Sequence, residues 1–227
     1  MSENMSENGK KKKGINKKLI VLIGGVVAVC LGVFIYFSMF YASDSCITYE
    51  LNGNTACVVD CEEDAKRVAI PSKIKREGKT YVVTEVGASA FYHCDKLTSI
   101  KLPDSVTTIG KQAFAHCYKL ESVNIPKGVT KIEKQTFYEC MNLKSIEIPS
   151  GVTKIGVEAF YCCEKLTSIK LPDGLTTIED CAFWNCLGLT EVKIPASVTE
   201  IGEDIFIYCD NLEYIEYPGH LNGENLR

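Results

Sequence analysis

Twelve cysteines, three histidines and a scattered set of aromatic rings are the side chains of this 227-residue chain whose types could do chemistry. Six of the cysteines, Cys94, Cys117, Cys140, Cys163, Cys186 and Cys209, recur every 23 residues, each three places after a phenylalanine. At a fixed point of a repeated unit a thiol is a small, weakly polar packing group. Side chains of one column also point their Cβ vectors alike, so buried thiols are expected there rather than disulfides. Cys46, Cys57 and Cys61 precede the first unit. Cys46 and Cys57 are expected to be diagonal neighbours across a hairpin, able to bond in an oxidising compartment, and the redox state of all three stays open. Two places after each phenylalanine stand His93, His116, Glu139, Cys162, Asn185 and Tyr208, several of them zinc-ligand types. Stacking would bring His93 and His116 within bridging reach. No neighbour is at hand to orient them, however, and the position is expected to face solvent, so neither a metal nor a cofactor is predicted.

One place after each phenylalanine the residues are Tyr92, Ala115, Tyr138, Tyr161, Trp184 and Ile207. Aromatic side chains anchor many protein interfaces, which makes Tyr92, Tyr138, Tyr161 and Trp184 candidate binding residues, with Trp184 the expected anchor. The chain holds no Ser-His-Asp set, phosphate-cradling glycine loop, paired catalytic carboxylates or zinc-finger spacing. The third histidine, His220, lies in the C-terminal tail, so acid-base chemistry has little material and an enzyme is not expected.

The elements that must position these columns follow from the same period. Phenylalanine stands at 91, 114, 137, 160, 183 and 206, and one unit reads Phe-x-x-Cys-x-x-Leu-x-x-Ile-x-Ile/Leu-Pro-x-x-Val-Thr-x-Ile. The Leu97-x-x-Ile100-x-Leu102 segment ends in the alternation of a half-buried strand, Pro103 stops it, and Val106 to Ile109 makes a second short β-prone run. A single 23-residue unit cannot bury its own apolar side, so the units must stack as a solenoid. Lys101, Asn124, Glu147, Lys170 and Lys193 are outward positions of the first strand and mark a sheet face, a second candidate binding surface, with Glu147 beside Lys170 as a cross-strand pair. Residues 43–90 read as an N-terminal cap and atypical first repeat. The cap is a β-hairpin turning at Asn52-Gly53-Asn54, and the lengthened unit carries an insertion around Lys75 to Gly78. The repeats run over 91–221, a tail follows at 222–227, and Glu213 and Glu216 discourage edge pairing at the last rung.

Charge divides the chain further. Residues 1–18 carry six lysines against two glutamates, whereas 43–227 holds 19 basic and 27 acidic side chains, a balance of −8 that argues against nucleic acid. Between them, 19–42 has 24 residues without a charge, about 36 Å as a helix and enough to cross a bilayer of about 30 Å. The lysines in front place the N-terminus in the cytoplasm and the repeats outside. An uncleaved signal-anchor is expected, with a cleaved signal peptide as the competitor, and Cys30 reads as apolar filler. Gly24, Ala28 and Gly32 share one face, the small-residue spacing that lets two such helices approach as a homodimer, although glycine and alanine are also simply common in such helices.

The unit resembles the leucine-rich repeat of the BspA-like family of surface proteins, whose pattern matches from Phe91 to Pro103 and five more times, over about residues 68–221. That resemblance implies a β-rich, right-handed leucine-rich-repeat solenoid displayed on bacterial or protist surfaces, with members acting as adhesins toward matrix proteins or other cells. This chain has few repeats and no Leu-Pro-x-Thr-Gly sorting signal. The expectation is therefore a membrane-anchored cell-surface protein that binds a protein ligand. The alternative is a non-catalytic envelope element that self-associates.

Overall fold

A run of only two or three alternating residues can form only a short strand, and the structure is built of such strands stacked in register. The computed structural model describes residues 46–221 and residue 223. The 1–18 tail and the 19–42 span lie outside the described residues, as does most of 222–227. Among the described residues, no helix is long and apolar enough to cross a membrane.

The chain opens with the hairpin β1 (Ile47–Asn52) and β2 (Thr55–Cys61), followed by β3 (Arg67–Ala69), β4 (Lys73–Arg76) and β5 (Lys79–Val86). Each later unit gives two strands. These are β6 (Ser99–Lys101) and β7 (Thr108–Ile109), β8 (Ser122–Val123) and β9 (Lys131–Ile132), β10 (Ser145–Glu147) and β11 (Lys154–Ile155), β12 (Ser168–Lys170) and β13 (Thr177–Ile178), then β14 (Glu191–Lys193) and β15 (Glu200–Ile201), with β16 (Tyr214–Glu216) last. Pairing is parallel with a 23-residue offset, as in Ser145 with Ser168 and Glu147 with Lys170. Seven first-column strands, β3 to β16, make a β-solenoid of about seven turns. The second run is shorter than its composition suggests. Val106 N donates to Pro103 O at 3.0 Å, so that residue closes a turn and the strand begins only at Thr108.

The cap forms where expected. Gly53, at φ 59°, is the first of two loop residues between Asn52 and Thr55, the pattern of a type II′ turn in which glycine bears no Cβ penalty. β2 then runs parallel to β5 and extends the second strand column past the first rung. The expected Cys46–Cys57 neighbourhood fails on register. With two residues in the loop, Cys57 falls opposite Glu50, while Cys46 accepts from Glu62 N at 2.8 Å at the far end of the hairpin. The insertion is the β4–β5 hairpin, whose turn residues Glu77 (φ 51°) and Gly78 (φ 77°) both take the left-handed conformation of a type I′ turn.

The core is a set of columns. Phe91 to Phe183 are fully buried at every 23rd position, and each stacks on the next at 5.2–5.5 Å between ring centroids, Phe206 included. Burial of each such ring stabilises the fold by about 1.5–3 kcal/mol. On the arm that carries the phenylalanines, alternate backbone N–H groups have different destinations. Ala90, Tyr92 and Cys94 donate within their rung to Gly87, Ser89 and Phe91, whereas Ser89, Phe91 and His93 donate to Lys111, Ala113 and Ala115 of the next. Two left-handed columns accompany this alternation: Ser89, Gln112, Gln135, Glu158, Cys181 and Asp204, and then His93, His116, Glu139, Cys162, Asn185 and Tyr208, all with φ of 53–61°. Each left-handed residue costs about 1 kcal/mol or more, which the rung-to-rung hydrogen bonds offset.

Candidate functional site

Stacking decides what each candidate column can offer. Tyr138 and Tyr161 lie parallel at 4.7 Å, Tyr161 and Trp184 at 4.3 Å, and Tyr208 meets the Trp184 ring edge-on at 4.8 Å. Tyr92 is half-buried at the other end and packs edge-on against His116 at 5.2 Å, which in turn meets Tyr138 at 5.3 Å. The stripe is therefore continuous. His116 fills the gap left by the fully buried Ala115, which the sequence pattern did not reveal. The faces of Tyr161 lie against its neighbours, and those of Trp184 meet one stacked ring and one ring edge, so these residues present edges and polar tips outward. Burial, with the neighbouring Glu139 next in weight, pushes the Tyr138 hydroxyl up to about 12 and that of Tyr118 upward. Tyr161 rises for the same first reason.

The column two places after each phenylalanine does not simply face solvent. His93, His116, Glu139, Cys162 and Asn185 are half-buried, because the left-handed backbone turns their side chains along the stripe, and Tyr208 alone of the six is exposed, at 59%. His93 and His116 stack face to face at 4.4 Å with planes 5° apart. Imidazole lone pairs lie in the ring plane, so parallel rings aim them side by side rather than at one point. Nδ1 of His116 lies 2.9 Å from Glu139 Oε2 and 3.1 Å from the Tyr118 hydroxyl. Among the described residues, no group of three or more His, Cys, Asp or Glu side chains is placed to hold a metal ion.

The cysteine column is buried throughout. Cys117, Cys140, Cys163, Cys186 and Cys209 donate Sγ–H to Phe91, Phe114, Phe137, Phe160 and Phe183 O respectively, at 3.1–3.3 Å. Burial holds the thiols of Cys117, Cys140 and Cys163 well above their usual range. These are packing groups that also satisfy a carbonyl.

The sheet face has a different character. Lys101, Asn124, Glu147, Lys170 and Lys193 are all exposed along it. Asn124 is committed to the scaffold: its Oδ1 accepts from Leu102 N at 2.8 Å and its Nδ2 donates to Leu102 O at 2.9 Å. Glu147 stands opposite Lys170 in register, and Lys193 Nζ pairs with Glu216 Oε1 at 2.6 Å, both ends well exposed. Across β12, β14 and β16 this face sinks into a depression of about 610 Å³ lined by Ser168, Lys170, Glu191, Lys193, Tyr214 and Glu216 among others. Tyr214 is 60% exposed there. Beside it Tyr217, 44% exposed, occupies the column that holds buried Leu102, Ile125, Ile148, Leu171 and Ile194 in earlier rungs. That change of type at one column was the available signal for this end of the sheet face.

A family model described as a BspA type leucine rich repeat region matches residues 84–222 in six copies. The chain belongs to this family. Among solved BspA-like structures, it matches a leucine-rich repeat protein from Bacteroides ovatus at 35% identity and TM-score 0.60, covering 78% of this chain and 53% of that one. It matches a leucine rich cell surface protein from Faecalibacterium prausnitzii at 31% identity and TM-score 0.61, covering 76% and 53%. The pneumococcal vaccine antigen PcpA follows at 27% identity and TM-score 0.64, covering 78% and 50%. The chain thus spans about half the length of these relatives. No curated protein matches it significantly.

Proposed function

We propose that this BspA-type chain is a cell-surface protein that binds a protein ligand on the sheet face around Tyr214, held to the membrane by residues 19–42 with the repeats outside. The observation that carries the reading is the depression over β12, β14 and β16. It combines an exposed aromatic ring with cationic and anionic groups, Lys170 and Lys193 beside Glu191 and Glu216. A mixed-charge rim around an aromatic anchor suits a folded protein partner, while a phosphate backbone needs one sign of charge. The Faecalibacterium relative's description as a cell surface protein supports the location by analogy. The aromatic stripe is the lesser candidate, because its ring faces are already occupied by one another.

Two measurements test the reading. The full chain is titrated against a panel of immobilised extracellular-matrix proteins. Tyr214→Ala and Lys170→Glu are each expected to weaken capture by about tenfold or more, as loss of an interface anchor does, while Trp184→Ala changes it little. Unchanged capture by the first two variants removes the sheet face from the proposal. For location, protease added to intact cells is expected to digest the repeats, and full protection of residues 46–221 would sink the topology.

A further inference from the structure

Five of the six column thiols have a phenylalanine carbonyl 26 residues earlier as their acceptor. Cys94 opens the column, and no phenylalanine rung precedes it. Its place in the preceding turn is taken by the end of β2. β3 pairs with β6 so that Arg67 lies opposite Ser99, and Thr98 N donates to Lys66 O at 2.7 Å, which brings the segment around Cys61 and Glu62 alongside Cys94. Both Cys61 and Cys94 are buried. Cys61 Sγ donates to the adjacent Glu62 O at 3.6 Å, a longer contact than the 3.1–3.3 Å of the column thiols, and has the thiols of Cys94 and Cys46 as neighbours. The Cys94 contact first and burial second push its pKa up.

This pair differs physically from neighbours within the column. Adjacent rungs lie about 4.8 Å apart, inside the Cα range of about 4.4–6.8 Å that a disulfide needs. What prevents a bond inside the column is direction, since repeat symmetry keeps the Cβ vectors parallel and each sulfur aimed at its carbonyl. Cys61 arrives from an antiparallel hairpin strand instead of a repeat arm, so that symmetry does not constrain it. Cys186 and Cys209 provide an internal control. Their thiols also meet, yet each holds its own phenylalanine carbonyl at 3.1 Å.

We infer that Cys61 and Cys94 close a disulfide on oxidation, with half-buried Cys46 as the thiol at which a low-molecular-weight disulfide enters. The Cys46 thiolate attacks the small disulfide and releases one small thiol. Cys61 attacks the Cys46 sulfur of the mixed disulfide and releases the second. Cys94 then attacks the Cys61 sulfur and returns Cys46 to its thiol. Overall, two protein thiols and one small disulfide give one protein disulfide and two small thiols. The bond ties the cap to the first repeat and constrains the unfolded chain over the 33-residue separation of 61 and 94.

The test uses the reduced full chain, oxidised with glutathione disulfide, acid-quenched, alkylated in denaturant and digested with trypsin. No Lys or Arg lies between Leu19 and Ala65, and Cys94 is the sole cysteine of 80–96, so the product is 19–66 joined to 80–96. The linked pair is expected in the unsubstituted chain, absent in Cys61→Ser, formed at least tenfold more slowly in Cys46→Ser, and unchanged in Cys209→Ser. Recovery of 80–96 fully alkylated from the oxidised unsubstituted chain overturns the inference, whatever the variants do. A link that persists in Cys61→Ser overturns the pairing, and equal rates with and without Cys46 overturn its role as the entry point.

Discussion

Phe160 and Tyr161 are neighbours in sequence, and each stacks on two rings of its own kind of column: Phe160 at 5.3 Å on both sides, Tyr161 at 4.7 and 4.3 Å. One ring is fully buried in an invariant column, whereas the other is half-buried in a column that also accepts alanine, histidine-backed gaps and tryptophan. The contrast teaches that stacking is imposed by the rung spacing, because any side chain repeated at that spacing meets its copy. Burial, not contact, separates a column the fold depends on from one it tolerates. An aromatic stripe in such a solenoid is therefore not by itself an interface.

The largest effect expected from this difference is that of Phe160→Ala, which removes a buried ring from the middle of the stack and should cost about 3–5 kcal/mol in denaturant unfolding. Tyr161→Ala, one residue away, loses two stacks worth about 0.5–1.5 kcal/mol each beyond its modest burial, and should cost clearly less. If the two losses are equal, the stripe is core and the distinction breaks. Alkali sharpens the same point. With the Tyr138 pKa raised from the ordinary 10.0 to about 12, the folded state holds the proton more tightly. The resulting stability is present in full below pH 10 and is lost between pH 10 and 12. Unfolding midpoints measured across that range should fall for the unsubstituted chain and fall less for Tyr138→Phe. The smallest effect belongs to Thr136, a fully buried polar residue in the column where Ala90, Ala113, Ala159 and Ala182 stand in other rungs. Its Oγ1 donates to Glu133 O at 2.8 Å, a carbonyl that also accepts from Thr136 N. Thr136→Ala should therefore shift stability by about 1 kcal/mol or less, read from the same unfolding curves.

Much of the scaffold was legible because repetition turns residue type into position. Phenylalanine, cysteine, leucine and isoleucine at a 23-residue spacing announce buried columns, and Pro103 and its copies announce the strand end. The cap hairpin was legible from local turn chemistry at Asn52-Gly53, and the insertion from the extra length of the first unit, though not that it forms a second hairpin turning at Glu77-Gly78. The candidate site was less so. Lys101, Lys170 and Lys193 stand exposed on the sheet face, whereas Asn124 is spent on the Leu102 backbone. The two left-handed columns left no glycine to mark them; their signature is only that none of their twelve residues is β-branched. Cys46 and Cys57 were misplaced because hairpin register depends on loop length, which a cluster of turn residues does not specify to the residue.

The sequence by itself determined the period, the column membership and the existence of a cap, since these follow from spacing and from the need of each unit to bury its apolar side against the next. Only the tertiary structure decided which faces those columns spend on one another. It left Trp184 stacked, Tyr214 exposed over a depression and Cys94 beside Cys61 instead of a phenylalanine carbonyl. The physical reason is that translation along the solenoid makes like rungs alike, so what is particular to this molecule lies where a rung departs from the repeat, as at Cys61 and Tyr217.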